Sequence, residues 1–215
     1  MNTRHYSPLD ALLVAANDAL QTMFGSAPVS ARANPAAAHA SNETLTDAER
    51  RHAASLMRIN HAGEIAAQAL YQGQALTARE SQVQEKMAHA AQEENDHLAW
   101  CQERLTELNS RKSLLTPAWY AGSFAIGALA GAAGDKWSLG FVVETERQVI
   151  RHLDEHLQKL PTQDARSQAI LRQMRDDEAK HATMALAAGA AELPYPVKKL
   201  MSAVSKVMTT TAYWI

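Results

Sequence analysis

Glu64 is followed 30 residues later by Glu94-Asn95-Asp96-His97, and Glu146 is followed 32 residues later by Glu178-Ala179-Lys180-His181. Residues i and i+3 of a helix lie about one turn apart on one face. Each Glu-x-x-His pair can therefore offer a carboxylate and an imidazole to one ion or to two neighbouring ones. A single pair is weak evidence, because polar helices produce it by chance. Two pairs on separate helical stretches, each preceded by a glutamate at nearly the same distance, say more. A helix, a short turn and an antiparallel helix return the chain to the same level after that distance. Two such hairpins facing each other gather four Glu and two His around one centre.

The rest of the chain reads as helix. Alanine is the commonest residue, against only 9 Gly and 7 Pro, and no window alternates long enough to suggest a strand. Ser7-Pro8 reads as a helix start, with Ser7 as N-cap, and residues 1–24 form an amphipathic helix ended by Gly25. Residues 25–45, rich in Ala, Pro and Ser, read as a linker. Thr46-Asp47-Ala48-Glu49 is a capping box that opens a helical domain over 46–215. Helices are expected over about 46–78, 81–108, 135–160 (stopped by Pro161) and 162–190 (stopped by Gly189 and Pro194), with a last one from about Pro196. The expected fold is all-α: a ferritin-like four-helix bundle with a long apolar crossover helix and extra N- and C-terminal helices. The crossover is the uncharged stretch from Ser113 to Gly134. It is long enough to span a bilayer, but Ala and Gly dilute it and Pro117 interrupts it, so a buried or membrane-surface helix is expected. In the last segment, Val197, Leu200, Met201, Val204 and Met208 share a face while Lys198, Lys199 and Lys206 lie largely elsewhere. That pattern suits either a membrane surface or a helix closing the bundle.

Composition removes several function classes. With 21 Lys+Arg against 23 Asp+Glu, no basic field exists for nucleic acid. Apolar residues at 47% exclude a disordered chain. One cysteine, Cys101, excludes a disulfide scaffold and any cysteine-based zinc or iron–sulfur site, so a metal site must use N and O donors. The first 25 residues contain Arg4, Asp10 and Asp18 and no long apolar run, unlike a secretory leader. No Gly-x-Gly-x-x-Gly follows a strand, so no dinucleotide-binding domain is expected.

Two divalent ions carry four positive charges, which four carboxylates neutralise while two imidazoles leave positions open. The glutamates of the two Glu-x-x-His pairs are the expected bridges. Glu144, two residues from Glu146, points roughly opposite and cannot share a site with it, and spacing alone does not choose between the two. His61 precedes Glu64 by three residues and is expected to pack or support rather than ligate. Glu93 and Asp177 precede the bridging glutamates directly. Each is either an exposed charge or the acceptor for the free ring N–H of the opposite histidine. His52, His89 and His156 are expected at the surface, and Tyr71, Met174 and Met184 in the core.

The run Arg58-Ile59-Asn60-His61-Ala62-Gly63-Glu64, with Glu94-x-x-His97, Glu146, His152 six residues on, and Glu178-x-x-His181, resembles the demethoxyubiquinone hydroxylase family of ubiquinone biosynthesis over about residues 46–215. The resemblance implies a ferritin-like, peripheral membrane protein on the cytoplasmic face of the cell membrane. It implies two iron ions held by Glu64, Glu94, His97, Glu146, Glu178 and His181, with Glu94 and Glu178 bridging. It implies hydroxylation of the ring of 3-demethoxyubiquinol, a polyprenyl quinol, by dioxygen in the penultimate step, with NADH as an electron donor. A homo-oligomer or a partner protein of the same biosynthesis is expected. His152 is carried over as a catalytic candidate; Leu153 follows it where the family often has Tyr, so no Tyr relay is carried over there. Two other classes remain open: a ferritin-type iron-storage or peroxide-scavenging protein, and a non-catalytic quinone- or lipid-binding bundle.

Overall fold

A computed structural model describes residues 8–25, 32–40 and 45–215, and among these it contains helices and no strand. The helices are α1 (Pro8–Phe24), α2 (Asp47–Thr77), α3 (Ser81–Glu107), α4 (Thr116–Ala132), α5 (Asp135–Lys159), α6 (Ala165–Ala187) and α7 (Tyr195–Trp214), with a short 3₁₀ turn at Pro35–Ala38. Their ends follow local chemistry. The Thr46 hydroxyl accepts from the Glu49 amide while the Glu49 carboxylate accepts from the Thr46 amide at 2.9 Å, closing the expected capping box. Pro161 follows the end of α5, and Asp164 caps α6 by accepting from the Ser167 amide at 2.9 Å. Ser7 lies outside the described residues.

α2, α3, α5 and α6 form the bundle: α2 packs on α3, α5 on α6, and the two hairpins meet through α3 against α6 and α2 against α5. Two of its apolar cores flank the polar level. One joins Met57, Leu105, Leu153, Ile170, Leu171 and Met174. The other joins Tyr71, Val83, Met87, Leu139 and Val143. Glu64, Glu94, Glu146 and Glu178 fall between these two sets on their own helices, so the polar level is sandwiched by apolar ones. Buried Arg104 ties the foot of α3 to the head of α6, donating to Asp164 at 3.0 Å and Ser167 at 2.8 Å.

The apolar crossover α4 lies along the outside of α2. A Cβ on Gly127 would collide with the Leu70 carbonyl, and one on Gly73 with the Phe124 carbonyl, so the paired glycines set how closely the two helices approach. Among the described residues no helix is long and apolar enough to cross a membrane. α7 closes the bundle at one end, where Ala212 is buried, yet Leu200, Val204, Val207 and Trp214 remain exposed.

Three details differ from expectation. Residues 32–40, inside the stretch read as a linker, are docked: the 3₁₀ turn packs on α6 and Ala36 is buried. His156, expected at the surface, is buried, with Nδ1 2.7 Å from Asn60 Oδ1. Met184, expected in the core, is exposed.

Candidate metal centre

α2 supplies Glu64, α3 supplies Glu94 and His97, α5 supplies Glu146, and α6 supplies Glu178 and His181. All six are buried, and the structure brings all six together. They form two tetrads, Glu64–Glu94–His97–Glu178 and Glu94–Glu146–Glu178–His181, with one donor atom of each residue within 4.8 Å of the others in its set. Glu94 and Glu178 belong to both. His97 Nδ1 lies 3.4 Å from Glu64, 3.2 Å from Glu94 and 3.2 Å from Glu178. His181 Nδ1 lies 3.0 Å from Glu178 and 3.5 Å from Glu94. Both imidazoles therefore turn the same nitrogen inward.

The donor set fits divalent first-row metal ions. Glu64 Oε2 and Glu94 Oε1 are fully buried without a hydrogen-bond partner, which is costly for carboxylate oxygens unless a cation faces them. Burial, followed by repulsion from Glu94, pushes the Glu64 carboxyl well above the usual range. Burial, with Glu178 and Glu94 adding to it, does the same to Glu146. Burial opposes a charge on His181, yet Glu178 and Glu94 outweigh it and push this imidazole up to about 12. His97 is likewise raised against its burial, by Asp177 and the inward glutamates. Glu94 is held low despite burial by its neighbours Glu64, His181 and His97. The whole cluster attracts positive charge.

The outward nitrogens settle the choice left open for Glu93 and Asp177. His181 Nε2 lies 2.8 Å from Glu93 Oε2 and His97 Nε2 lies 3.3 Å from Asp177 Oδ2. Each acidic residue thus backs the histidine of the other hairpin, fixing the ring so that Nδ1 faces inward. Tyr71 is in the core as expected, and its hydroxyl also donates to Glu146 Oε1. Residue 71 lies two turns after Glu64 on α2, a register that could have signalled this contact. His61 is buried, and burial pushes its imidazole down to about 4, with Lys112 adding to the effect. Glu144 faces away from the cluster and bonds Gln148 at 2.9 Å.

A mostly apolar cavity of about 430 Å³ opens between α2, α4, α5 and α7, and Glu64 forms part of its wall. His152 lines this cavity with its Nε2 3.0 Å from Ser205 Oγ, apart from the six-residue cluster. Burial lowers its pKa.

Residues 51–212 match the family model described as ubiquinone biosynthesis protein COQ7. A Nitrosococcus oceani protein named 3-demethoxyubiquinol 3-hydroxylase is 58% identical over 215 residues, covering 100% of both chains. Proteins of the same name from Xanthomonas euvesicatoria pv. vesicatoria and Polynucleobacter necessarius subsp. necessarius are 60% and 56% identical. The first covers 98% of this chain and 96% of its own, the second 97% and 100%. The family match runs through all four bundle helices and the relatives extend over almost the entire chain, so this protein belongs to the ubiquinone biosynthesis protein COQ7 family.

Proposed function

We propose that this chain is a di-iron monooxygenase that uses dioxygen to hydroxylate the ring of 3-demethoxyubiquinol; its relatives are named 3-demethoxyubiquinol 3-hydroxylase. Glu64, Glu94 and His97 would hold one iron, and Glu146, Glu178 and His181 the other, with Glu94 and Glu178 shared. When bound, the pair of irons supplies dioxygen activation, so that one oxygen atom enters a ring C–H bond and the other leaves as water with two electrons from NADH.

The chain's own residues do the rest. The apolar cavity takes the quinol and excludes water, and the Glu64 wall brings the ring beside the cluster. Glu93 and Asp177 hold the two imidazoles in one tautomer, and Tyr71 holds Glu146. His152, which lines the cavity beside Ser205 and whose pKa burial lowers, would accept a hydrogen bond from a quinol hydroxyl. The exposed Leu200, Val204 and Val207 of α7, with Ile126 and Leu129 of α4, offer a greasy rim on the side where the cavity lies. Together with Lys198, Lys199 and Lys206, that rim supports docking at the cytoplasmic face of the cell membrane, from which a polyprenyl tail can enter.

The observation that carries this function is the pair of tetrads sharing two glutamates beside an apolar cavity; an iron-storage protein would keep the ligands, but the cavity is what iron storage does not need. Iron-loaded protein given 3-demethoxyubiquinol and NADH should form the hydroxylated quinol in air and none under argon. Product formed equally without dioxygen contradicts the assignment.

A further inference from the structure

We infer that Arg32 is a positioning residue of the metal centre, a clamp on the two carboxylates that orient its histidines; the inference rests on the di-iron function above. Arg32 lies outside the residues matched by the family model, in the segment that precedes the 3₁₀ turn. Its Nη2 donates to Asp177 Oδ2, and its Nη1 lies 3.8 Å from Glu93 Oε1 and 3.8 Å from Asp96 Oδ2. One guanidinium thus reaches the buried acceptor behind His97, the partly exposed acceptor behind His181 and the buried carboxylate of Asp96. It also stacks 5.0 Å over the Trp100 ring, which sits 5.4 Å from the His97 ring.

The segment is anchored well enough to hold such a clamp. Ala36 is buried against α6. Asn34 accepts from the Ala36 amide at 2.9 Å and donates to Glu103 on α3 at 2.5 Å. Arg166 on α6 donates to the His39 carbonyl at 2.8 Å. The segment therefore crosses from α3 to α6, the two helices that bear the Glu-x-x-His pairs.

The chemistry asks for a cation of this shape. Behind the four inward glutamates, whose charges two divalent ions would balance, Glu93, Asp96 and Asp177 bring three more acidic groups within reach of Arg32. A planar guanidinium can contact carboxylates on two helices at once. Lys180 also reaches Asp177, at 2.8 Å, but from an exposed position on the same helix. By drawing charge from both acceptors, Arg32 fixes ring orientation and limits how electron-rich the imidazoles become.

The test uses the full chain, metal-free and then titrated with Co²⁺, read by visible absorption alongside far-UV circular dichroism. Arg32→Met should weaken Co²⁺ binding by about ten- to a hundredfold, shift the absorption bands and leave helicity intact. With iron, kcat should fall while KM for the quinol stays put, because the cavity is lined by α2, α4, α5 and α7 and by neither α3 nor α6. Arg32→Lys, which keeps the charge and loses the fork, should recover part of the affinity. Wild-type Co²⁺ affinity and spectrum in Arg32→Met overturn the clamp. Should Arg32→Met lose helicity, wild-type affinity and spectrum in Arg32→Lys overturn it instead. A wild-type chain that binds no Co²⁺ overturns the di-metal function itself, an outcome distinct from failure of the clamp alone.

Discussion

Tyr71 shows how much one side chain can contribute beside a metal centre without ligating it. Its hydroxyl is buried, donates to Glu146 Oε1, and is held protonated by burial and by the Glu146 charge. Removing it leaves a buried carboxylate oxygen without that donor, a cost of about 1–3 kcal/mol. Tyr71→Phe should lower the stability of the metal-free protein by that amount in urea unfolding and weaken the ion bound through Glu146 and His181 by about tenfold. Unchanged binding of both ions would show that Glu146 needs no such support. The cluster is legible from helical spacing, which converts residue number directly into facing, except that the choice of Glu146 over Glu144 rests on the family resemblance. Tyr71 was not legible as a partner, since a tyrosine on an apolar face usually just packs. The roles of Glu93 and Asp177 were undecided because adjacency along a helix does not reveal which histidine stands across from it. The burial of His156 is not legible in the sequence, because its hydrogen-bond partner Asn60 lies 96 residues away.

At the scale of elements, the helix bounds followed from caps, prolines and glycines, all local signals. Contacts between helices did not follow so directly. α4 reads as an apolar run of membrane-spanning length, but its packing on α2 is decided by small residues that face one another only after folding. Gly127→Val would drive a side chain into the Leu70 carbonyl and force α4 away from α2. The expected cost is about 1–3 kcal/mol or more, read as a lower unfolding midpoint, together with a raised KM for the quinol because α4 forms one wall of the cavity. A variant with wild-type stability and KM would mean that the two helices can separate freely. The docked 32–40 segment was equally hidden. Its Ala-Pro composition suggests a tether, and what holds it down is the α6 surface beneath Ala36 and the carboxylates around Arg32.

The whole molecule couples its stability to pH through histidines away from the cluster's donors. Burial pushes His61 down to about 4, aided by Lys112, and His156 down to about 4, aided by His152. Both are therefore neutral in the fold, while the unfolded chain takes up protons near 6.5. Their contribution is complete above about pH 6.5 and is lost as pH falls towards 4. Comparing wild type with His156→Gln between pH 7 and 4 should show the stability gap moving by roughly 3 kcal/mol in the variant's favour. A constant gap across that range would contradict a buried neutral His156. The centre itself, with two tetrads joined by Glu94 and Glu178, is the claim on which the function stands. Anaerobic Fe²⁺ titration of the full chain tests it most directly. Two ions per chain should bind to the wild type, with Glu178→Ala losing tight binding of both because it removes a shared ligand. One ion or none in the wild type, or two tightly bound ions in Glu178→Ala, would contradict it.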